Sequence, residues 1–303
     1  MHRHRFFFAA LFLLTAATAL ARPAADSLAV VAPGATVQPV ARQFAFTEGP
    51  AVDKKGNIYF TDQPNDRIWK YDTDGKLTLF LEKTGRANGL FIDKKGNIIA
   101  CADEKNELWS IHPKTKAVTV LLPGQFDGKK YNGPNDLWIT ARGDIYFTDP
   151  FYARPWWAHK KPEQDKQRVF LLKKGEKTPV VVADDLVQPN GIVGTPDGKT
   201  LYVADIGGRK TYRYAVNPDG SLGQRQLFCE MGSDGMTLDR QGNVYLTGRG
   251  VTVFDASGKK LGNIPVPAGW TANVCFGGKD RKTLFITASD AVFVLPMAVK
   301  GTE

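Results

Sequence analysis

Six times along this chain a tight polar turn, usually closed by glycine, is followed at once by a run of Ile, Tyr, Phe, Val and Leu. Aligned on the turn, the copies read DKKGNIYFTD (53–62), DKKGNIIACA (93–102), TARGDIYFTD (140–149), TPDGKTLYVAD (195–205), DRQGNVYLTG (239–248) and GKDRKTLFITA (278–288). The turn positions are Gly56, Gly96, Gly143, Gly198, Gly242 and, degenerate, Arg281, at spacings of 40, 47, 55, 44 and 39 residues. A period of roughly 40–50 residues carrying several short strands marks a β-propeller, because one small sheet cannot bury both faces and must stack on its neighbours. Within a unit the strands follow one another closely, as in GLFID, NIIACA, ELWSI and AVTVLL of the second copy. The D-x-x-G and P-D-G turns are hairpin chemistry, and no stretch carries a convincing helical period.

The expected fold is therefore all-β: a six-bladed β-propeller. The last copy offers only three strands, ANVCF, TLFITA and AVFVLP, and TVQPVARQF (36–44) is expected to supply the fourth. The last blade is then closed by an N-terminal strand, which removes the sheet edge an open ring would leave. A chain of 303 residues is long for one domain but ordinary for a closed β fold.

The start of the chain is read separately. MHRHRFFFAALFLLTAATALA has a basic beginning (Arg3, Arg5), an apolar run and a small-x-small end at Ala19-Leu20-Ala21. The apolar run is shorter than the ~20 residues a spanning helix needs, so a signal peptide is expected over 1–21 rather than a membrane anchor. A short tether (22–35) and the propeller domain (36–303) follow, and the protein is expected to be secreted or periplasmic, without stable membrane insertion. Loss of the leader lowers Lys+Arg from 40 to 38 against 31 Asp+Glu, a formal charge of +7. The lysines are dispersed among turns, with no basic helix or aromatic-interleaved groove, so no nucleic-acid partner is expected. Cys101, Cys229 and Cys275 form no C-x-x-C pair and are expected as thiols, not as a disulfide framework.

Eight residues before each turn position stand Glu48, Asn88, Asn135, Asn190, Asp234 and Asn273. Any one Asn or Asp at a strand entry has an ordinary explanation, since these side chains bond their own backbone in turns. Six carboxylates or amides at one offset, with Glu48 no turn former, point to a ring of oxygen donors at the mouth of the central channel. Two carboxylates among neutral amides suit a hard divalent cation, calcium above all, which takes carboxylate and amide oxygens in flexible coordination. Zinc is disfavoured, because only His112 and His159 remain once the leader is removed. The same scarcity of histidine, and the absence of G-x-S-x-G, argue against a Ser-His-Asp hydrolase. A long insertion, DPFYARPWWAHKKPEQDKQ, leaves the third copy and carries Tyr152, Trp156, Trp157 and His159, a candidate lid or sugar-stacking wall with an ordered surface loop as the alternative.

At these residues the chain resembles the gluconolactonase/regucalcin (senescence marker protein) family of six-bladed propellers, and also diisopropyl fluorophosphatase. The matching motifs are FTEGP (46–50), GPNDLWI with YFTDP (133–150), QPNGI with PDGKTLYVAD (188–205) and GSDGM (232–236), in order over nearly the whole mature chain. The resemblance implies hydrolysis of sugar lactones with one divalent cation, usually Ca²⁺, with Mn²⁺, Mg²⁺ or Zn²⁺ as alternatives. It implies Glu48, Asn190 and Asp234 as ligands, with Asn135 on the metal or on the substrate. Animal members carry an Arg where this chain has Gly133, so the sugar contact is expected elsewhere: Lys130, Asn132, Arg86, Asn88 or the insertion with Trp156, Trp157 and His159. A metal-site carboxylate, Asp234 before Glu48, is the expected general base, and Asn135 the donor to the developing oxyanion. Two other readings are open: a phosphotriesterase-like hydrolase on the same site, and a non-catalytic propeller that binds carbohydrate or protein.

Overall fold

The turn column explains itself in backbone angles. Gly56, Gly96, Gly143, Gly198 and Gly242 all have φ between +71° and +96°, and Arg281 adopts +61° in the degenerate copy. Glycine reaches that region without a Cβ clash, and the preceding acid completes the turn. Asp53 Oδ1 accepts the Lys55 and Asn57 N–H groups at 2.9 and 3.0 Å, and Asp93 repeats the pattern at 2.8 Å for Lys95 and Asn97.

The protein was analysed as a computed structural model that describes residues 28–302. The signal peptide expected over 1–21 lies outside those residues. Each of the six copies builds a four-stranded antiparallel sheet, and in the first five the strands run in chain order from the axis outward. The inner strands are Thr47–Val52, Ala87–Ile92, Leu137–Ile139, Pro189–Gly194, Met236–Leu238 and Thr271–Gly277. Each touches the next around the ring, and the sixth meets the first. The outermost strand of blade six is Gln38–Arg42, paired antiparallel with Ala291–Pro296 so that Gln38 faces Val294 and Arg42 faces Ala291. Among the described residues the one helical turn is Gln63–Asn65.

Apolar residues of facing sheets fill the gaps between blades. Phe60 of blade one packs on Phe285 of blade six at 5.3 Å between ring centroids, and Phe147 stacks on Phe170 within blade three at 5.2 Å. Near the axis, threonine hydroxyls tie blade one to two, three to four and five to six. Thr61 Oγ1 donates to Asn88 O (3.0 Å), Thr148 Oγ1 to Asn190 O (2.7 Å) and Thr247 Oγ1 to Ala272 O (2.8 Å). These bonds satisfy buried carbonyls of the ring segment that a free strand would leave costly.

The segment expected as a tether is docked from Leu28 onward. Val30 is buried in the core shared by blades five and six, Val31 bridges Met297, and Ala32 N–H donates to Pro296 O at 3.1 Å. Its apolar side chains, Leu28, Val30, Val31 and Ala35, pack on that shared core, which explains why it is not a free linker. The other end of the chain is held too: Gly301 bridges Asp239, and Thr302 N–H donates to Leu238 O at 3.1 Å.

Candidate functional site

The residue after each ring position decides how closely the blades meet. It is Gly49, Gly89, Gly191 and Gly235 in four blades, Asp136 in blade three and Val274 in blade six. A Cβ at Gly49 would lie 2.2 Å from Asn88 O, at Gly89 2.6 Å from Asn135 O, at Gly191 2.8 Å from Asp234 O, and at Gly235 2.0 Å from Asn273 Cγ. Glycine thus lets four of the six inner strands lie directly against the ring residue of the following blade, and the polar side chains close on the axis.

Their contacts show the convergence. Asn190 Nδ2 donates to Asp234 Oδ1 at 2.8 Å, and Asn273 Nδ2 reaches Glu48 Oε2 at 3.5 Å and Asp136 Oδ2 at 3.4 Å. Trp270 Nε1 donates to Asp234 Oδ2 at 2.6 Å. Asn135 is held by its backbone, its N–H on Thr148 O (2.9 Å) and its carbonyl accepting from Gly89 N–H (2.8 Å). Its side-chain amide is committed to neither bond.

Asp136 and Trp270 escaped the sequence reading. The N-D pair looks like turn chemistry, yet Asp136 is buried, with Oδ1 accepting from Leu137 N–H at 2.9 Å. The signal was the column itself, where an acid stands in blade three at a position that is glycine in four others. Trp270 lies ahead of the sixth ring residue in a stretch with no repeat partner.

Burial raises the pKa of all three acids. Glu48 is pushed well above the ordinary carboxylate range by desolvation first and by the neighbouring Asp234 charge second. Asp136 is pushed up to about 7, again by burial. Asp234 is raised by burial, with the Trp270 and Asn190 hydrogen bonds and the charge of Arg154 pulling the other way. Among the described residues no Lys or Arg forms an ion pair with Glu48, Asp136 or Asp234.

Two acceptors beside these acids are orphans: Asn88 Oδ1 and Asn190 Oδ1 are buried and receive no hydrogen bond. Buried oxygens without donors, next to carboxylates without counter-charge, are the arrangement a hard cation satisfies. Among the described residues no three His, Cys, Asp or Glu side chains group as metal ligands, so a cation here must use amide oxygens as well. Glu48, Asp234 and Asn190, with Asn135 or Asn88, fit that requirement.

Beyond Asp136 and Asn273 the channel continues as an apolar cavity of about 230 Å³, lined by Ala51, Leu90, Trp138, Ile192 and Val274 among others. The polar ring is therefore one end of the channel, and the insertion of blade three approaches it. Tyr152 OH accepts a hydrogen bond from Asn190 Nδ2 at 2.9 Å, and the Arg154 guanidinium lies 5.4 Å from the Tyr152 ring.

The other expected substrate contacts divide. Asn88 belongs to the ring. Arg86 stacks on Trp156 at 4.7 Å and donates from Nη1 to Pro64 O at 2.6 Å. Asn132 is a scaffold residue whose Nδ2 holds Asp149 O (3.1 Å) and Lys166 O (2.9 Å), pinning both ends of the insertion. Trp157 is buried, donates from Nε1 to Asp103 O at 2.9 Å, and stacks on His159 at 4.8 Å. With Trp156 and Lys130, which is paired to Glu163 at 3.6 Å, they line a separate groove beside blade two.

The family description SMP-30/Gluconolactonase/LRE-like region matches residues 46–290. A gluconolactonase from Zymomonas mobilis is 29% identical over 286 residues, covering 84% of this chain and 80% of the relative. A pentonolactonase from Haloferax volcanii is 26% identical over 253 residues, covering 80% of this chain and 81% of the relative. The solved structure of a gluconolactonase from Xanthomonas campestris superposes with a TM-score of 0.82 at 29% identity, covering 90% of this chain and 92% of that one.

Proposed function

This chain belongs to the SMP-30/gluconolactonase/LRE-like family, and on that premise we propose that it is a lactonase whose axial ring hydrolyses sugar lactones with one divalent cation. Gluconolactonase and pentonolactonase relatives that align along most of its length support the reaction class. The observation that carries the cation is the ring itself: unpaired buried acids beside the orphaned Asn88 and Asn190 oxygens. Glu48, Asn190, Asp234 and Asn135 are the proposed ligands, and an all-oxygen set of this kind favours Ca²⁺.

Such a cation supplies Lewis acidity toward the lactone carbonyl and makes water more acidic. The chain's own groups do the rest. The Asn135 amide, uncommitted in the ring, can donate to the carbonyl oxygen as negative charge develops there. Asp234 is oriented on both oxygens, by Asn190 Nδ2 and Trp270 Nε1, and burial raises its affinity for a proton near neutral pH. It is placed to take the proton of the attacking water, and the same group can return it to the ring oxygen as the acyl bond opens. Asp136 stands behind it as a further acid in the same volume. The insertion carrying Tyr152 narrows access on this side. Residues 1–21 are proposed to direct export.

The test is hydrolysis of a panel of aldonolactones before and after chelation, with Ca²⁺, Mn²⁺, Mg²⁺ and Zn²⁺ restored singly. The expected result is turnover of aldonolactones, lost at least about 100-fold on chelation and recovered best with Ca²⁺. Turnover unchanged by chelation contradicts the cation. A chelation-sensitive melting temperature with no lactone turned over supports a binding propeller instead.

A further inference from the structure

One guanidinium of the blade-three insertion has been assigned no role so far. Arg154 lies in the insertion, its side chain 18% exposed, and its Nε pairs at 3.1 Å with the buried carboxylate of Asp103. That pairing uses one edge of the guanidinium. Its Cζ lies 5.4 Å from the centre of the Tyr152 ring and 5.7 Å from that of the Trp156 ring, and among the described residues neither Nη1 nor Nη2 donates a hydrogen bond. Tyr152 in turn bonds Asn190 of the ring, so the path from ring to guanidinium is Asn190, Tyr152, Arg154.

A second observation concerns the wall of blade three beside the ring. A Cβ at Gly133, two residues before Asn135, would lie 2.9 Å from Asp103 Oδ1 and 2.8 Å from Trp157 Cη2. Blade three therefore cannot send a side chain of its own toward the ring from that position without displacing the Asp103 anchor. The cation on this wall comes from the insertion instead.

We propose that Arg154 is the specificity-determining residue of the site, presenting its two terminal N–H groups to the hydroxyl oxygens of a polyhydroxylated lactone. The buried Asp103 carboxylate holds the guanidinium by charge, and the Tyr152 and Trp156 rings lie against it. A forked donor then spans neighbouring oxygens on a sugar ring, a geometry that a lysine ammonium cannot reproduce. The inference rests on the lactonase reading, and an unsubstituted lactone separates the two. With such a substrate the ring can act on the ester, but Arg154 has no hydroxyl to hold.

The experiment compares kcat/KM for glucono-δ-lactone and δ-valerolactone in the wild-type protein, Arg154→Gln and Arg154→Lys, with Ca²⁺ present. Melting temperatures of the three proteins verify folding. Calorimetric binding of gluconate is measured alongside. The expected result is a fall of at least about 10-fold in the glucono/valero preference in both variants, carried mainly by KM, with gluconate binding weakened by a similar factor. An unchanged preference with unchanged gluconate binding overturns the assignment and leaves Arg154 as packing. Equal losses on both lactones also overturn it, since they make Arg154 an electrostatic support of Asp234. If no wild-type lactone turnover is seen, the lactonase reading fails, and gluconate binding alone decides whether Arg154 reads hydroxyls.

Discussion

Replacing Asp234 by Asn is expected to lower kcat/KM on an aldonolactone by about three orders of magnitude, equivalent to about 4 kcal/mol in the activation barrier. The substitution keeps shape and loses charge. Asp234 is the one ring acid that both Trp270 and Asn190 orient, at 2.6 and 2.8 Å, and it is close enough to Glu48 for their charges to act on one another. Its removal takes away both a proposed cation ligand and the proposed proton acceptor. Metal content and turnover, measured on one preparation, separate these roles. Metal lost together with activity indicates a ligand, while metal retained with activity lost indicates a base. Full activity with metal retained removes Asp234 from the mechanism. A Trp270→Phe substitution, which deletes only the orienting N–H, is expected to give a much smaller loss.

The second large effect is on stability. Gly49→Ala is expected to destabilise the fold by about 3 kcal/mol, from two causes that add. Gly49 has φ of +42°, a region that costs an L-residue roughly 1–2 kcal/mol. The new methyl would also lie 2.2 Å from Asn88 O, a backbone atom of the next blade that cannot turn aside, and overpacking of this kind costs about 1–3 kcal/mol. Gly96→Ala is the matched control. Its φ of +85° carries strain, but nothing lies within 4 Å of the added atom. Thermal or denaturant unfolding of the two variants isolates the contact term, and equal destabilisation would mean that blade spacing at the axis is not set by the glycine column.

How much of this was legible in the sequence follows from where repetition ends. Turn positions and ring residues recur six times, five of the turns closed by glycine, so their offset survives the loss of any one copy, and even Arg281 keeps the turn's left-handed backbone. The strand Gln38–Arg42 could be placed because the last copy lacked a partner for it. Asp136 was missed because it occupies a glycine column, where the informative fact is a difference between copies. Arg154 and Trp270 sit in stretches without repeat counterparts, where no register predicts which way a side chain faces. Lys130, Trp157 and His159 were grouped with the site by proximity in sequence. The insertion folds back, however, so that Trp157 is pinned to Asp103 and the groove they line lies beside blade two. Residues 28–35 looked like a linker because they are short and unrepeated, yet Val30 finds a cover to make over blades five and six.

The central claim is that the acids and amides of six blades hold one cation between them. Calorimetric titration of Ca²⁺ into chelator-stripped protein at pH 8 and at pH 6 tests it most directly. Burial raises the pKa of Glu48, Asp136 and Asp234, with Asp136 near 7. Protons held by these acids at pH 6 must leave as the cation enters, so binding is expected to be weaker there than at pH 8. The account predicts one Ca²⁺ per chain, tighter at the higher pH, and lost in Glu48→Gln. No binding at either pH, or binding that Glu48→Gln leaves intact, would contradict it.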